Sequence, residues 1–127
     1  MPSEPRARIL IADDARVMRM LVRHWLERLD FEVVEAKDGL QALQLAQSGG
    51  FAIVFLDINM PGMSGLGVLD RIRHEPALEG LPVVLLTTLG RAADVERGKD
   101  LGASAYLTKP LSYGALTATL QRLLQAA

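Results

Sequence analysis

Four places in the chain set residues capable of charge chemistry directly after a short apolar run: Asp13-Asp14, Asp57, Thr87-Thr88 and Lys109-Pro110. If the runs end together, three carboxylates, a hydroxyl and one ammonium face a single crevice. Carboxylates within a few ångströms repel one another, and a divalent cation held by oxygen ligands relieves that repulsion; Mg²⁺, which keeps several waters, suits so few protein ligands. A lysine at the same rim can neutralise an anion bound there. Such a set suits phosphoryl transfer, where catalysis is mostly positioning and charge compensation and an Asp can be the nucleophile. Each residue also has a plainer role when read singly. Asp13 or Asp14 could N-cap the following helix, Asp57 could open the turn Asp-Ile-Asn-Met-Pro-Gly, Thr87 could close a β-branched strand, and Lys109 could be a solvated charge. The recurrence of polar chemistry at all four run ends favours a site.

The elements that must position these residues are legible from hydrophobic pattern. Residues 8–12, 51–56 and 82–86 are short runs of Ile, Val, Leu and Phe, as in strands buried on both faces of a parallel sheet. Residues 32–36 and 105–108 are weaker runs that fit strands nearer an edge. Between them, apolar residues recur at helical spacing: Val17, Leu21, Trp25 and Leu29; Leu40, Leu43 and Leu45; Leu66, Leu69 and Ile72; Leu116, Leu120, Leu123 and Leu124. Residues 92–101 form the weakest predicted helix, with Asp94, Glu96, Arg97, Lys99 and Asp100, few core-sized side chains and an interior Gly98. Strand and helix alternate five times, which predicts an α/β fold, a doubly wound five-stranded parallel sheet with five helices. In such a sheet ligands bind beyond the carboxyl ends of the strands where the winding reverses.

The 127 residues, 50% hydrophobic, suffice for one core, expected over residues 6–125 with 1–5 and 126–127 as loose termini. Fourteen Lys plus Arg against 15 Asp plus Glu leave a net charge of -1, which gives no basic field for nucleic acid. The absence of Cys excludes disulfides, thiolate metal sites and a cysteine nucleophile, so metal or catalytic chemistry must run on oxygen ligands. No apolar run approaches the roughly 20 residues needed to cross a bilayer, so no membrane insertion is expected and a cytoplasmic location is. Trp25 reads as core, and His24 and His74 read as surface residues.

With these residues in view, the chain resembles the receiver domain of two-component response regulators, most like single-domain chemotaxis regulators of the CheY type. The carriers are Ile9-Leu10-Ile11-Ala12-Asp13-Asp14, Ala36-Lys37-Asp38-Gly39, Phe55 through Gly65, Leu85-Leu86-Thr87 and Gly102 through Pro110, with a weaker likeness in Met18-Arg19 and Val22-Arg23. The resemblance implies strand order 2-1-3-4-5 and Asp57 as phosphoacceptor from a histidine kinase, a phosphotransfer protein or a small donor such as acetyl phosphate. It implies Mg²⁺ bound by Asp14 and Asp57 directly, by the Asn59 backbone carbonyl, and by Asp13 largely through water. Lys109 and Thr87 would meet phosphoryl oxygens, Lys109-Pro110 would be cis, and Tyr106 would be the switch aromatic. Output would pass to a protein target on the face of the fourth helix, fifth strand and fifth helix. Such a protein would be a monomeric phosphoacceptor acting on itself, not a turnover enzyme.

The sequence departs from the family pattern at three places. Thr88 stands where a small residue is usual and is expected to narrow access to Asp57. Leu89 is apolar where a polar residue helps place hydrolytic water, which predicts slow self-dephosphorylation. Asp30 replaces the usual Gly after the first helix, at a position expected to need a positive φ. The fifth helix, 112–124, carries one charge, Arg122, and lacks the charged pairs through which DNA-binding regulators dimerise. No effector segment follows Ala127, which points to a stand-alone role in chemotaxis-type or related signalling; an adaptor or phosphate sink, or a receiver excised from a larger regulator or hybrid kinase, are the alternatives. An aspartate-nucleophile phosphatase is disfavoured because Asn59, not Asp, stands two residues past Asp57, and neither GxxxxGK[ST] nor GxGxxG is present.

Overall fold

Alternation along the strands builds two core layers from one sheet. A computed structural model describes residues 7–88 and 92–124. The strands are β1 (Arg8–Ala12), β2 (Glu32–Ala36), β3 (Phe51–Asp57), β4 (Val83–Thr88) and β5 (Ala105–Lys109), all parallel in the order β2-β1-β3-β4-β5. The two weaker runs are therefore the edge strands, as expected from their polarity. Helices α1 (Arg16–Arg28), α2 (Gly39–Ser48), α3 (Gly65–Arg73), α4 (Ala92–Leu101) and α5 (Tyr113–Leu124) connect or follow them, and a 3₁₀ turn spans Pro76–Leu78. Leu10, Val54, Leu56, Val83 and Leu85 face α2 and α3, whereas Ile9, Ile11, Ile53, Phe55, Val84 and Leu86 face α1 and α5. Successive strand residues point to opposite faces, so each apolar run feeds both layers.

Three strand ends extend beyond the apolar runs. Asp57, Thr87-Thr88 and Lys109 are the last residues of their strands instead of following them, and β4 begins at Val83, not residue 82. The parallel ladder continues through them: Asp57 pairs with Leu86, Thr87 with Thr108 and Thr88 with Lys109. Backbone pairing is indifferent to side-chain polarity, so it carries the polar residues on the rigid sheet.

In two helices part of the apolar stripe suggested by leucine spacing is exposed. In α1, Val17 is 78% and Leu21 38% exposed, while Val22 and Leu26 are fully buried with Met18, Trp25 and Leu29 packed beside them. With Val22 and Leu26 buried, Arg19 and Arg23 both reach Glu35 on β2. In α2, Leu40 is exposed, while Leu43 is buried and Leu45 packs against the core as their spacing suggested, joined by Ala42 and Ala46. Small residues there let the helix lie close to the sheet.

Trp25 is half-buried and meets Tyr113 edge to face, with ring centroids 5.8 Å apart. His24 and His74 are exposed. Asp30 has φ 68°, the left-handed conformation expected after α1. The loose termini expected at 1–5 and 126–127, and Leu89, lie outside the described residues.

Candidate functional site

β1 and β3 are adjacent but lead to helices on opposite faces, so the crevice at their carboxyl ends is where the winding reverses. Asp13 and Asp14 follow β1 there and Asp57 ends β3. One carboxylate oxygen from each of these three residues lies within 4.8 Å of the others. Asp13 is wholly buried, Asp57 nearly so at 5% exposure, and Asp14 is exposed at the rim. β5 delivers Lys109, whose Nζ lies 2.8 Å from Asp13 Oδ2 and donates to Asp57 Oδ2 at 3.1 Å.

The sequence left open whether Asp13 or Asp14 N-caps α1. Neither does: the N-cap is Ala15, without a side-chain cap. Asp13 Oδ1 instead accepts from the Ala15 N–H at 2.8 Å, closing a local turn, which leaves Oδ2 turned inward. That buried Oδ2 has the Lys109 charge beside it but no aligned hydrogen bond. Burial, then the charge of Asp13, push the Asp57 carboxyl above its ordinary range, against the pull of Lys109. Desolvation works against the Lys109 ammonium, but the close Asp13 carboxylate and the bond and charge of Asp57 outweigh this and raise it.

The β3–α3 loop is held by close backbone packing. The Asn59 N–H donates to Asp57 Oδ1 at 3.2 Å, and the Gly65 N–H donates to the Ile58 carbonyl at 2.9 Å. A Cβ on Gly65 would collide with the Asp57 carbonyl oxygen, and one on Gly39 with the Met63 carbonyl oxygen. These two glycines are needed because backbone occupies the space a side chain would fill.

Thr87 is buried with its hydroxyl donating to the Thr88 carbonyl at 3.3 Å, so the structure sets it near the crevice but not on Asp57. Tyr106 is half-buried on β5, and its hydroxyl donates to the Val95 carbonyl of α4 at 3.0 Å. The Lys109-Pro110 bond is cis, as expected. Asn59 is exposed beside Asp57.

Sequence reasoning missed Arg19 and Glu35 as neighbours of the site. Arg19 Nη1 donates to the Asp13 carbonyl at 2.7 Å while its Nε donates to Glu35 Oε1 at 3.0 Å. The available signal was a pair of arginines four apart on α1 and an acid in the interior of a short strand.

Three buried or rim carboxylates sharing one ammonium, with an inward oxygen lacking an aligned donor, fit a divalent cation with oxygen ligands. Asp57 could then serve as a nucleophile toward an electrophilic phosphorus.

Residues 9–121 match the family model described as the response regulator receiver domain. Chemotaxis protein CheY-3 of Vibrio cholerae is 35% identical over 93% of this chain and 92% of its own. Transcriptional regulatory protein TctD of Salmonella typhimurium is 42% identical over 93% of this chain and 52% of its own. Among solved structures, V. cholerae CheY4 superposes with a TM-score of 0.87 at 35% identity, covering 94% of this chain and 99% of that one. The receiver domain of sensor histidine kinase PA1611 from Pseudomonas aeruginosa, solved with a magnesium ion coordinated in its active-site cleft, gives 0.88 at 26% identity, covering 95% and 99%. With the fold, the strand-end acids and these matches in agreement, the chain belongs to the response regulator receiver family.

Proposed function

We propose that this chain, as a single receiver domain over residues 6–125, accepts a phosphoryl group on Asp57 in a Mg²⁺-dependent reaction. The observation that carries the reading is the convergence of Asp13, Asp14 and Asp57 on one crevice with Lys109 bridging two of them. The donor is the phosphohistidine of a sensor histidine kinase or phosphotransfer protein, or a small donor such as acetyl phosphate. A carboxylate oxygen of Asp57 attacks phosphorus, an acyl phosphate forms, and the P–N bond to imidazole or the P–O bond to acetate breaks with its electron pair leaving on the donor. Water reverses the modification by releasing inorganic phosphate. The protein thereby modifies itself and turns over no separate substrate.

Asp14, Asp57 and the Asn59 backbone carbonyl would hold Mg²⁺ directly, and Asp13 largely through water. When bound, the cation supplies charge compensation for the entering phosphoryl group. Lys109 neutralises a phosphoryl oxygen from its place between Asp13 and Asp57, and Thr87 turns its hydroxyl from the Thr88 carbonyl toward another. The departure of Thr87 opens space that Tyr106 fills, breaking its bond to Val95 and biasing the face of α4, β5 and α5 toward a protein target. The reading is of a monomeric cytoplasmic signalling protein with a chemotaxis-type or related output.

The test is intact-mass analysis after incubation with Mg²⁺ and acetyl phosphate, with Asp57→Asn in parallel. A phosphoryl adduct on the parent and none on the variant is expected. No adduct on the parent would move the assignment to an unphosphorylated adaptor.

A further inference from the structure

We infer that Arg19 is a positioning residue for the divalent-cation site, setting the direction in which Asp14 is presented; this rests on the Mg²⁺-dependent reading above. The Asp13 carbonyl belongs to the peptide that joins the two acids after β1. Its oxygen accepts from Arg19 Nη1 at 2.7 Å, and the N–H of Asp13 donates to the Ala36 carbonyl at 3.2 Å. Arg19 is itself held by Glu35, the residue before Ala36 on β2. Both polar groups of the Asp13 backbone are therefore tied to adjacent residues of one strand, directly on one side and through a guanidinium on the other.

This grip bears on Asp14 because the peptide is planar, so holding the Asp13 carbonyl oxygen fixes where the N and Cα of Asp14 lie. Asp13 has a second anchor, since its side chain is buried between Ala15 N–H and Lys109. Asp14 is exposed, so the peptide plane has more to do in aiming it. The planar fork of arginine holds a carbonyl and a carboxylate at once, a geometry that an ammonium cannot copy. Arg23 supplies the control. It also binds Glu35, at 2.6 Å, and additionally Glu27, but among the described residues its hydrogen bonds reach those two acids and not the Asp13 peptide.

Calorimetric titration of the metal-free full chain with Mg²⁺ alone tests the inference, alongside thermal melts and the amide resonances of Asp14 and Ala15. Arg19→Gln is expected to weaken Mg²⁺ affinity by roughly 10-fold, the lower range for losing an outer partner of a metal ligand. It should also shift the Asp14 amide. Arg23→Gln is expected to lower the melting temperature without changing Mg²⁺ affinity, and Arg19→Lys to recover only part of the loss. If Arg19→Gln does not fold, Glu35→Ala decides, because it leaves Arg19 without its anchor and should weaken Mg²⁺ binding. Parental affinity in the folded Arg19 variant, or in Glu35→Ala where it must decide, overturns the inference; so does an equal loss in Arg23→Gln. In those cases the parent still binds Mg²⁺ and the phosphoacceptor reading stands. A parent that binds no Mg²⁺ and forms no adduct removes both.

Discussion

Lys109 Nζ stands 2.8 Å from Asp13 Oδ2 and 3.1 Å from Asp57 Oδ2, one ammonium between two largely buried carboxylates. The second carboxylate is under-compensated, which is why burial and Asp13 raise the Asp57 carboxyl despite Lys109. For a carboxyl raised on folding, the penalty appears as pH rises through its unfolded value and is complete above its folded one. Asp57→Asn is therefore expected to stabilise the metal-free protein above that folded value by about 1 kcal/mol, or roughly 4 °C in melting temperature. Mg²⁺ should stabilise the parent more than the variant. Differential scanning calorimetry with and without Mg²⁺ measures both effects, and a variant that melts below the parent contradicts this balance of charges.

Removing the ammonium has the opposite sign. Lys109→Met leaves Asp13, fully buried, facing Asp57 with no cation between them. A loss of about 3 kcal/mol is expected in metal-free buffer, as when one partner of a buried ion pair is deleted. Urea unfolding should show part of this recovered on adding Mg²⁺.

Two helical glycines should respond to alanine with opposite signs. Gly114 in α5 has open space around its missing Cβ, so Gly114→Ala gains about 0.5–1 kcal/mol from helix propensity and a less flexible unfolded chain. A Cβ on Gly98 in α4 would stand 2.5 Å from Leu85 Cδ1 and 3.1 Å from the Tyr106 hydroxyl oxygen. Leu85 is fully buried and cannot retreat without disturbing the core. Overpacking should outweigh propensity and leave Gly98→Ala about 1 kcal/mol less stable. Chemical denaturation of the two variants decides the signs.

Gly98 also shows what a sequence conceals. Read along the chain it is a helix weakener; in the fold it is the point where α4 approaches β4 and Tyr106. The strand-end acids were legible because parallel strands read as uninterrupted apolar runs and the site begins where each run stops. Strand lengths at Asp57, Thr87-Thr88 and Lys109 were underestimated because backbone pairing does not require apolar side chains. The first turns of α1 were misjudged because Val17 and Leu21 share helical spacing with Trp25, whereas the Arg19 and Arg23 contacts to Glu35 join elements separated in sequence. A lone arginine does not announce the carbonyl it will meet.

The Arg23–Glu35 and Arg19–Glu35 contacts should register in acid. The hydrogen bond from Arg23 holds the Glu35 carboxyl below its usual range; burial opposes this and the bond from Arg19 adds to it. A carboxyl depressed on folding stabilises fully above its unfolded pKa, and the contribution is lost as pH falls through the folded one. The stability difference between the parent and Glu35→Gln should be constant from about pH 7 to about pH 5 and shrink below about pH 4. Urea midpoints across that range measure it, and a difference independent of pH would show that the ion pairs contribute nothing.

Thr88 ends β4 beside Lys109 in register, and it is exposed. Its backbone carbonyl, the acceptor for the Thr87 hydroxyl, survives substitution by Ala. Thr88→Ala therefore removes bulk near the approach to Asp57 while keeping the Thr87 contact. Phosphorylation by acetyl phosphate is expected to be about threefold faster, equivalent to roughly 0.6 kcal/mol in the barrier. Melting should change little, as for most exposed substitutions. A phosphorylation time course by intact mass at several donor concentrations gives the rate, and one no faster than the parent shows that this side chain does not limit access.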